Sequence, residues 1–413
     1  MDDGVQPLYV TGRAGTGKST LLQAFRTATG KNLAVVAPTG VAAINVGGVT
    51  IHSFFRFPPT PISTHDIRKM RDRSLYKSLD TLIIDEISMV RADMLDGIDQ
   101  FLRVNGPSSK LPFGGVRVIM VGDLFQLPPV ISTGPEKQFI RDRYPTPYFF
   151  SANALGATGA EIIELQTVFR QTDANFIRLL NAIRANTIGP DELEELNRRY
   201  LPDFEPPPDE AWIVLTATNR VADHINRRQM QRLQTREFSF EGEPSGRFER
   251  INERNYPAPI NLTLREGAQV MFVRNDPDRR WVNGTMGVVR SLDKDEIEVE
   301  IGGPGGPSEF VEPETWEMYE YVFDADEKRL EAEVAGEYRQ YPLRPAYAIT
   351  IHKSQGKTFE RAMVDFGRGA FAHGQAYVAL SRLVDLKGLV LRRPIRRSDL
   401  IVDDQVVRFS MGM

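Results

Sequence analysis

The chain contains no cysteine. That excludes disulfides, thiolate metal centres and cysteine nucleophiles, and it fits a reducing compartment. Histidine is scarce: five scattered residues among 413 do not suggest a histidine-built metal site. No apolar run approaches the ~18 residues of a membrane-spanning helix. The opening "MDDGVQ" is acidic where a secretory signal would be basic. Large net charge is also missing. At −4 the balance gives no global signal for nucleic acid, and it excludes none, because a basic channel can lie inside an acidic protein. The cations are 40 Arg against 11 Lys, a bias that GC-rich coding would also produce and that carries no weight. No internal repeat or low-complexity tract interrupts the chain.

What is present is a soluble globular composition, 41% hydrophobic and 26% charged, in a chain long enough for two to four domains. From residue 7 to about 125, short apolar runs alternate with helical stretches. "PLYVTG", "LAVVAPT", "TLIIDEIS" and "VRVIMVGD" each end in polar or small residues. This is the pattern of a parallel α/β sheet carrying its functional groups at the strands' carboxyl ends. "FPPTPIS", 57–63, is too proline-rich for helix and reads as a small excursion. A second set of runs lies at 211–219, 344–352 and 388–394. Between its members, strand-like segments with hairpin turns such as Asn283-Gly284 read as an inserted β-barrel.

"GRAGTGKST", 12–20, has the Gly-x4-Gly-Lys-Ser spacing of a phosphate-binding loop, between a strand and a helix. Gly12, Ala14, Gly15, Thr16, Gly17, Lys18, Ser19 and Thr20 would wrap the phosphates. Backbone N–H groups converge at the helix N-terminus, Lys18 neutralises charge and Ser19 ligates magnesium. Asp85 and Glu86 follow a buried strand and suit metal binding and activation of the attacking water. Gln126, in "GDLFQLPPV", would reach the γ-phosphate, with Pro128 and Pro129 stiffening the exit. Arg170 and Arg382 each follow an apolar run, and a guanidinium suits a transferring phosphoryl group. Both fall in or near the second lobe, so they would complete a site whose loop lies in the first.

A second Gly-Lys-Thr ends "HKSQGKTFE", 352–360. It is no second phosphate loop, because Ile351 stands where the first glycine belongs. Taken in order, "GRAGTGKST", "APTGVAA", "TIHSFF", "IIDEISM", "GDLFQLPPV", "FRQ", "AITIHKSQGKT" and "QAYVALSR" resemble the superfamily-one DNA helicases of the PIF (petite integration frequency) family. "KLPFGGVR", 110–117, resembles the segment that sets this family apart from RecD-like and Dda-like cousins. The resemblance spans residues 8–392.

It implies an α/β fold of two RecA-like P-loop motor domains, with a short wedge in the first and an SH3-like β-barrel in the second. The expected boundaries are 1–160 for motor domain one, with its wedge at 53–72. Motor domain two takes 161–225 and 343–413, with the inserted barrel at 226–342. The implied activity is ATP-dependent, magnesium-requiring unwinding with 5′-to-3′ movement on single-stranded DNA. Lys18, Ser19, Asp85, Glu86, Gln126, Arg170 and Arg382 match the nucleotide site. Pro38, Thr39, Gly40, His52, Thr350, His352 and Lys353 match strand-facing positions, joined by Phe54 as a base-stacking candidate and by Pro128 and Pro129. Gly356 would face the triphosphate, which gives the late Gly-Lys-Thr its work, while Lys357 reads as a solvated lysine. The expected partners are single-stranded DNA and 5′-tailed or structured duplex, acted on by a monomeric motor. The expected setting is the cytoplasm of a bacterium, or the nucleus or mitochondrion of a eukaryote. The family's adenine-reading glutamine upstream of the loop has no clear counterpart; Gln6 sits at the strand's edge. Two alternatives remain at this stage: a single-strand-stimulated ATPase that does not unwind, and a DNA-binding module with a decayed motor.

Overall fold

The short apolar runs of the first 170 residues become strands of one parallel sheet. The computed structural model describes residues 6–131, 134–207, 210–302, 305–324, 326–327 and 329–412, so most of the acidic N-terminal stretch lies outside the described residues. The chain forms two compact units: Met1–Phe169 with Glu317–Gly336 and Asp404–Met413, and Arg170–Trp316 with Glu337–Asp403.

In the first unit the strands are β1 (Leu8–Gly12), β2 (Leu33–Ala37), β3 (Val49–Thr50), β4 (Thr81–Ile84), β5 (Arg117–Val121) and β6 (Glu161–Leu165). Their order is β3-β2-β4-β5-β1-β6, with every pair parallel. β4 is buried along its whole length and β2 over four of its five residues, as expected of a sheet covered on both faces. β1, β4 and β5 are neighbours, so the turns after them gather at one edge. The first sheet therefore continues to Leu165, past the boundary expected at 160. Residues 404–413 also belong to this unit, where Phe409 stacks on Phe150 at 4.3 Å.

The helix Ala92–Asn105 is the spine of the first unit. Asp93, Asp96 and Asp99 recur every third residue, and all three are buried. Each is satisfied by a different segment: Asp93 by Arg91 and the Ile62 N–H, Asp96 by Tyr144, Asn153 and the Ala154 N–H, and Asp99 by Arg103 and the Phe113 N–H. Their work is structural. Gly114 in "KLPFGGVR" has φ +67°, and a Cβ there would lie 2.3 Å from the Leu102 carbonyl oxygen, so only glycine fits against the helix.

The second unit has a four-stranded parallel sheet in the order Ala348–Thr350, Ile213–Thr216, Ala362–Asp365, Leu389–Leu391. A five-stranded antiparallel sheet is inserted: Ser308–Val311, Ile297–Ile301, Met286–Leu292, Gln269–Phe272 and Leu343–Pro345. Leu262, Val270, Phe272, Val299 and Leu343 form its core. Its closing strand reaches Pro345, just beyond the insertion boundary expected at 342. Among the described residues no helix is long and apolar enough to cross a membrane.

Candidate nucleotide and DNA site

β1 runs directly into the phosphate loop because its last residue is a glycine. A Cβ on Gly12 would lie 2.7 Å from the Leu165 carbonyl oxygen and 2.8 Å from Thr16 Oγ1. Gly15 and Gly17 take φ +82° and +83°, which turns the backbone into the helix α1 (Lys18–Ala28). The hydroxyl of Thr16 is tied inward to the Arg13 carbonyl at 2.9 Å, while Ser19 and Thr20 are exposed on the first turn. Lys18 Nζ donates to the carbonyls of Gly12 and Arg13 at 2.7 and 3.0 Å, folded over its own loop. A cation, a ring of glycine backbone and a helix N-terminus are what a polyphosphate requires.

The next two strand ends add acid and amide. Asp85, 8% exposed, leaves β4 with its N–H bonded to the Val36 carbonyl. Burial pushes its carboxyl up from the usual range, opposed by the Glu86 N–H and the nearby Lys18 ammonium. Glu86 stands at φ 49°, ψ 45°, a left-handed conformation that is uncommon for a residue with a side chain. Strain of this kind, ~1–3 kcal/mol, collects where a side chain must be aimed. After β5, Gln126 is buried, with its Nε2 3.3 Å from an Asp123 carboxylate oxygen and its backbone N–H on the Asp123 carbonyl.

Phe169 was missed by sequence reasoning. Its N–H bonds the Gly15 carbonyl at 2.9 Å, its ring comes within 3.9 Å of where a Cβ on Gly17 would sit, and it is 73% exposed. A phenylalanine that open beside a phosphate loop offers a flat apolar face to an occupant. The available signal was its place immediately before Arg170.

Of the strand-facing candidates in this unit, Thr39 accepts the Ala42 N–H and caps the helix Gly40–Asn45. Pro38, Thr39 and Gly40 are all part-exposed. His52 is half-buried, and burial, with Arg91 nearby, pushes its imidazole below the ordinary value. Pro129 is buried and Pro128 is part-exposed. Phe54 corrects the expectation of a base-stacking ring. It is 6% exposed and packs in T-shaped contacts with Phe55, Tyr76 and Tyr321, so the ring is enclosed by aromatic neighbours instead of open to a base.

The second unit collects the remaining groups. Arg170 Nη1 and Gln171 Nε2 both donate to the Ser381 carbonyl at 3.1 Å. Burial pushes the Arg170 guanidinium below its ordinary value. Arg382, 2% exposed, bonds the Val378 carbonyl and Ser381 Oγ, and its own carbonyl accepts the Phe359 N–H at 2.9 Å. The arginine segment and the 350–359 block are thus knitted together. In that block Thr350 is buried and its Oγ1 accepts the Lys353 N–H at 3.3 Å. Lys353 is exposed, and His352 lies nearly parallel to the 61%-exposed Phe371 at 6.3 Å. Gly356 has φ +76° with open space around its Cα.

Sequence and structure comparisons place the chain among known proteins. The PIF1-like helicase family model matches residues 1–190. An ATP-dependent DNA helicase Pif1 of Bdellovibrio bacteriovorus is 35% identical over 411 residues, covering 97% of this chain and 87% of the relative. The Emericella nidulans ATP-dependent DNA helicase PIF1 is 31% identical over 99% of this chain, which spans only 61% of that longer protein. Among solved structures, a Bacteroides Pif1 in complex with ADP-AlF4 superposes with a TM-score of 0.90 at 36% identity, covering 99% of this chain and 94% of that one. The Bacteroides Pif1 bound to single-stranded DNA gives 0.68 at the same identity, with coverages of 98% and 93%.

Proposed function

The chain belongs to the PIF1-like helicase family, and on that premise we propose that it couples ATP hydrolysis to 5′-to-3′ movement on single-stranded DNA, opening duplex or structured DNA ahead of it. Membership carries the two RecA-like domains and the ATP-dependent DNA helicase activity. Direction, metal, substrate structure and the role of each residue are our reading.

The observation that carries the reading is the order of the first sheet. Three adjacent strands end in the phosphate loop, in Asp85-Glu86 and in Asp123 to Gln126, so cation, acid and amide share one edge. In this reading Lys18 holds the β- and γ-phosphates, and Glu86 takes a proton from water as its oxygen attacks the γ-phosphorus and the bond to the β-phosphate oxygen breaks. Asp85 and Ser19 fit a magnesium ion, the first because a buried carboxylate beside a cationic loop suits a divalent partner. Bound there, the metal would neutralise charge on the phosphates. Arg170 and Arg382 supply positive charge for the transition state. Thr39, His52, Thr350, His352 and Lys353 offer phosphate-seeking hydroxyl, imidazole and ammonium groups that read no sequence. The inserted antiparallel sheet is proposed as the SH3-like barrel.

The test is oligonucleotide-stimulated ATP hydrolysis by the wild type and by Lys18→Ala. The variant should lose hydrolysis by at least two orders of magnitude while retaining single-strand binding. Wild-type hydrolysis in Lys18→Ala would remove the phosphate-loop assignment.

A further inference from the structure

The short helix Gln375–Leu380 stops just before Arg382, and the carbonyls at such an end need donors from outside the helix. The turn supplies some of its own. The Val378 carbonyl accepts the Ser381 hydroxyl at 3.1 Å and Arg382 Nε at 3.0 Å. The carbonyls of Ser381 and Leu383, one on each side of Arg382, accept from a distant residue, Gln171. Its Nε2 donates to the first at 3.1 Å and to the second at 2.8 Å. Both partners are pure acceptors, so the NH2 group of the amide, and not its oxygen, must face them. Gln171, Ser381 and Leu383 are as buried as Arg382 itself, which leaves no room for water to replace the amide.

The two carbonyls differ in what else reaches them. That of Ser381 also accepts Arg170 Nη1 at 3.1 Å, whereas the side-chain donor of the Leu383 carbonyl is Gln171. Arg382 is anchored on both flanks: its Nη2 donates to the Ser381 hydroxyl at 2.9 Å, and its carbonyl accepts the Phe359 N–H at 2.9 Å. Among the described residues, both side-chain hydrogen bonds made by Gln171 bracket this one arginine. All of these residues lie in the second unit. A buried carbonyl that loses its donor costs the molecule ~1–3 kcal/mol unless the backbone turns to find another, and here that backbone carries Arg382.

We propose that Gln171 is a positioning residue for ATP hydrolysis: by holding the backbone on both sides of Arg382, it fixes the guanidinium that is to meet the transferring phosphoryl group. Gln171 touches no reacting atom and acts through Arg382. Transition-state charge is sensitive to such placement, since a shift of about 1 Å in a catalytic group costs on the order of 100-fold in rate. This inference rests on the role given to Arg382 above. Its failure is separable, because Arg382→Ala tests that role without disturbing Gln171.

The experiment compares the full chain as wild type, Gln171→Met, Arg382→Ala and the double variant. Methionine matches glutamine in length but donates nothing; it leaves Arg170 on the Ser381 carbonyl and orphans the Leu383 carbonyl. The readouts are kcat and KM for oligonucleotide-stimulated ATP hydrolysis, and affinity for a fluorescent ADP with and without aluminium fluoride. Gln171→Met should lower kcat by about 10- to 100-fold. KM and the affinity for ADP alone should stay within about twofold of the wild type, because ground-state binding is untouched. Most of the tightening that aluminium fluoride, a mimic of the transferring phosphoryl group, gives to ADP should be lost. Added to Arg382→Ala, the same change should cost no more than about twofold, since no guanidinium is left to aim. If Gln171→Met does not fold, Gln171→Asn, which keeps the amide one methylene short, is measured against the same expectations. Wild-type kcat in the Gln171 variant, a loss of ADP affinity as large as the loss of kcat, or an undiminished further loss on top of Arg382→Ala overturns the proposal. Wild-type kcat in Arg382→Ala removes the role of the arginine, and the proposal with it.

Discussion

A buried lysine under the influence of an arginine gives up its proton more readily than one in water. Lys357 has its ammonium pushed down to about 7 by burial first and by Arg344 second. The groups acting on it are Arg344 and the Asn283 amide, with Asp223 acting through Arg344. In the unfolded chain the amine returns to its ordinary value near 10.5. Between about 7 and that value the unfolded state therefore binds more protons, so the lysine's contribution to stability rises with pH across that window. Thermal unfolding should show Lys357→Met more stable than the wild type near pH 7, with the difference shrinking as pH rises toward 10. A pH-independent difference would mean that Lys357 is an ordinary solvated lysine. Nothing in the local sequence announces this environment, because Asn283 and Gly284 are brought there by the inserted sheet. The phosphate loop is the opposite case: glycine spacing, strand and helix all lie within one short segment, so its chemistry was legible. Phe54 was misjudged for the same reason as Lys357, since Tyr321 reaches it from far along the chain.

At the scale of elements, the helix Ala92–Asn105 shows how a largely irregular segment can be given definite shape by a neighbouring element. Asn105 is fully buried at the helix end, and its side chain holds the expected wedge segment from both sides. Its Oδ1 accepts the Met70 N–H at 2.8 Å, and its Nδ2 donates to the carbonyls of Arg68 and Phe101 at 3.0 and 3.2 Å. Asn105→Ala should leave the Met70 N–H and Arg68 carbonyl without partners and destabilise the protein by about 2 kcal/mol. Limited proteolysis should then cut near residues 68–72 faster, with unwinding lost more than DNA-stimulated hydrolysis. An unchanged digestion pattern would show that Asn105 does not order the segment. The parallel strands were legible as apolar runs with polar ends. The roles of Asp93, Asp96 and Asp99 were not, because a three-residue carboxylate spacing says nothing about which loops will meet it.

For the whole molecule, the claim is that the residues gathered at the edge of the first sheet and those knitted to the 350–359 block serve one directional motor. Boundaries were the least legible feature at this scale. β6 and residues 404–413 join the first unit through strand pairing and a Phe409–Phe150 stack, both long-range contacts. The most direct measurement is unwinding of two partial duplexes with identical paired regions, one with a 5′ and one with a 3′ single-stranded tail, with and without ATP. The account predicts ATP-dependent unwinding of the 5′-tailed duplex alone. Unwinding of the 3′-tailed duplex would contradict the direction, and single-strand-stimulated hydrolysis with no unwinding of either would contradict the helicase and leave a translocating ATPase.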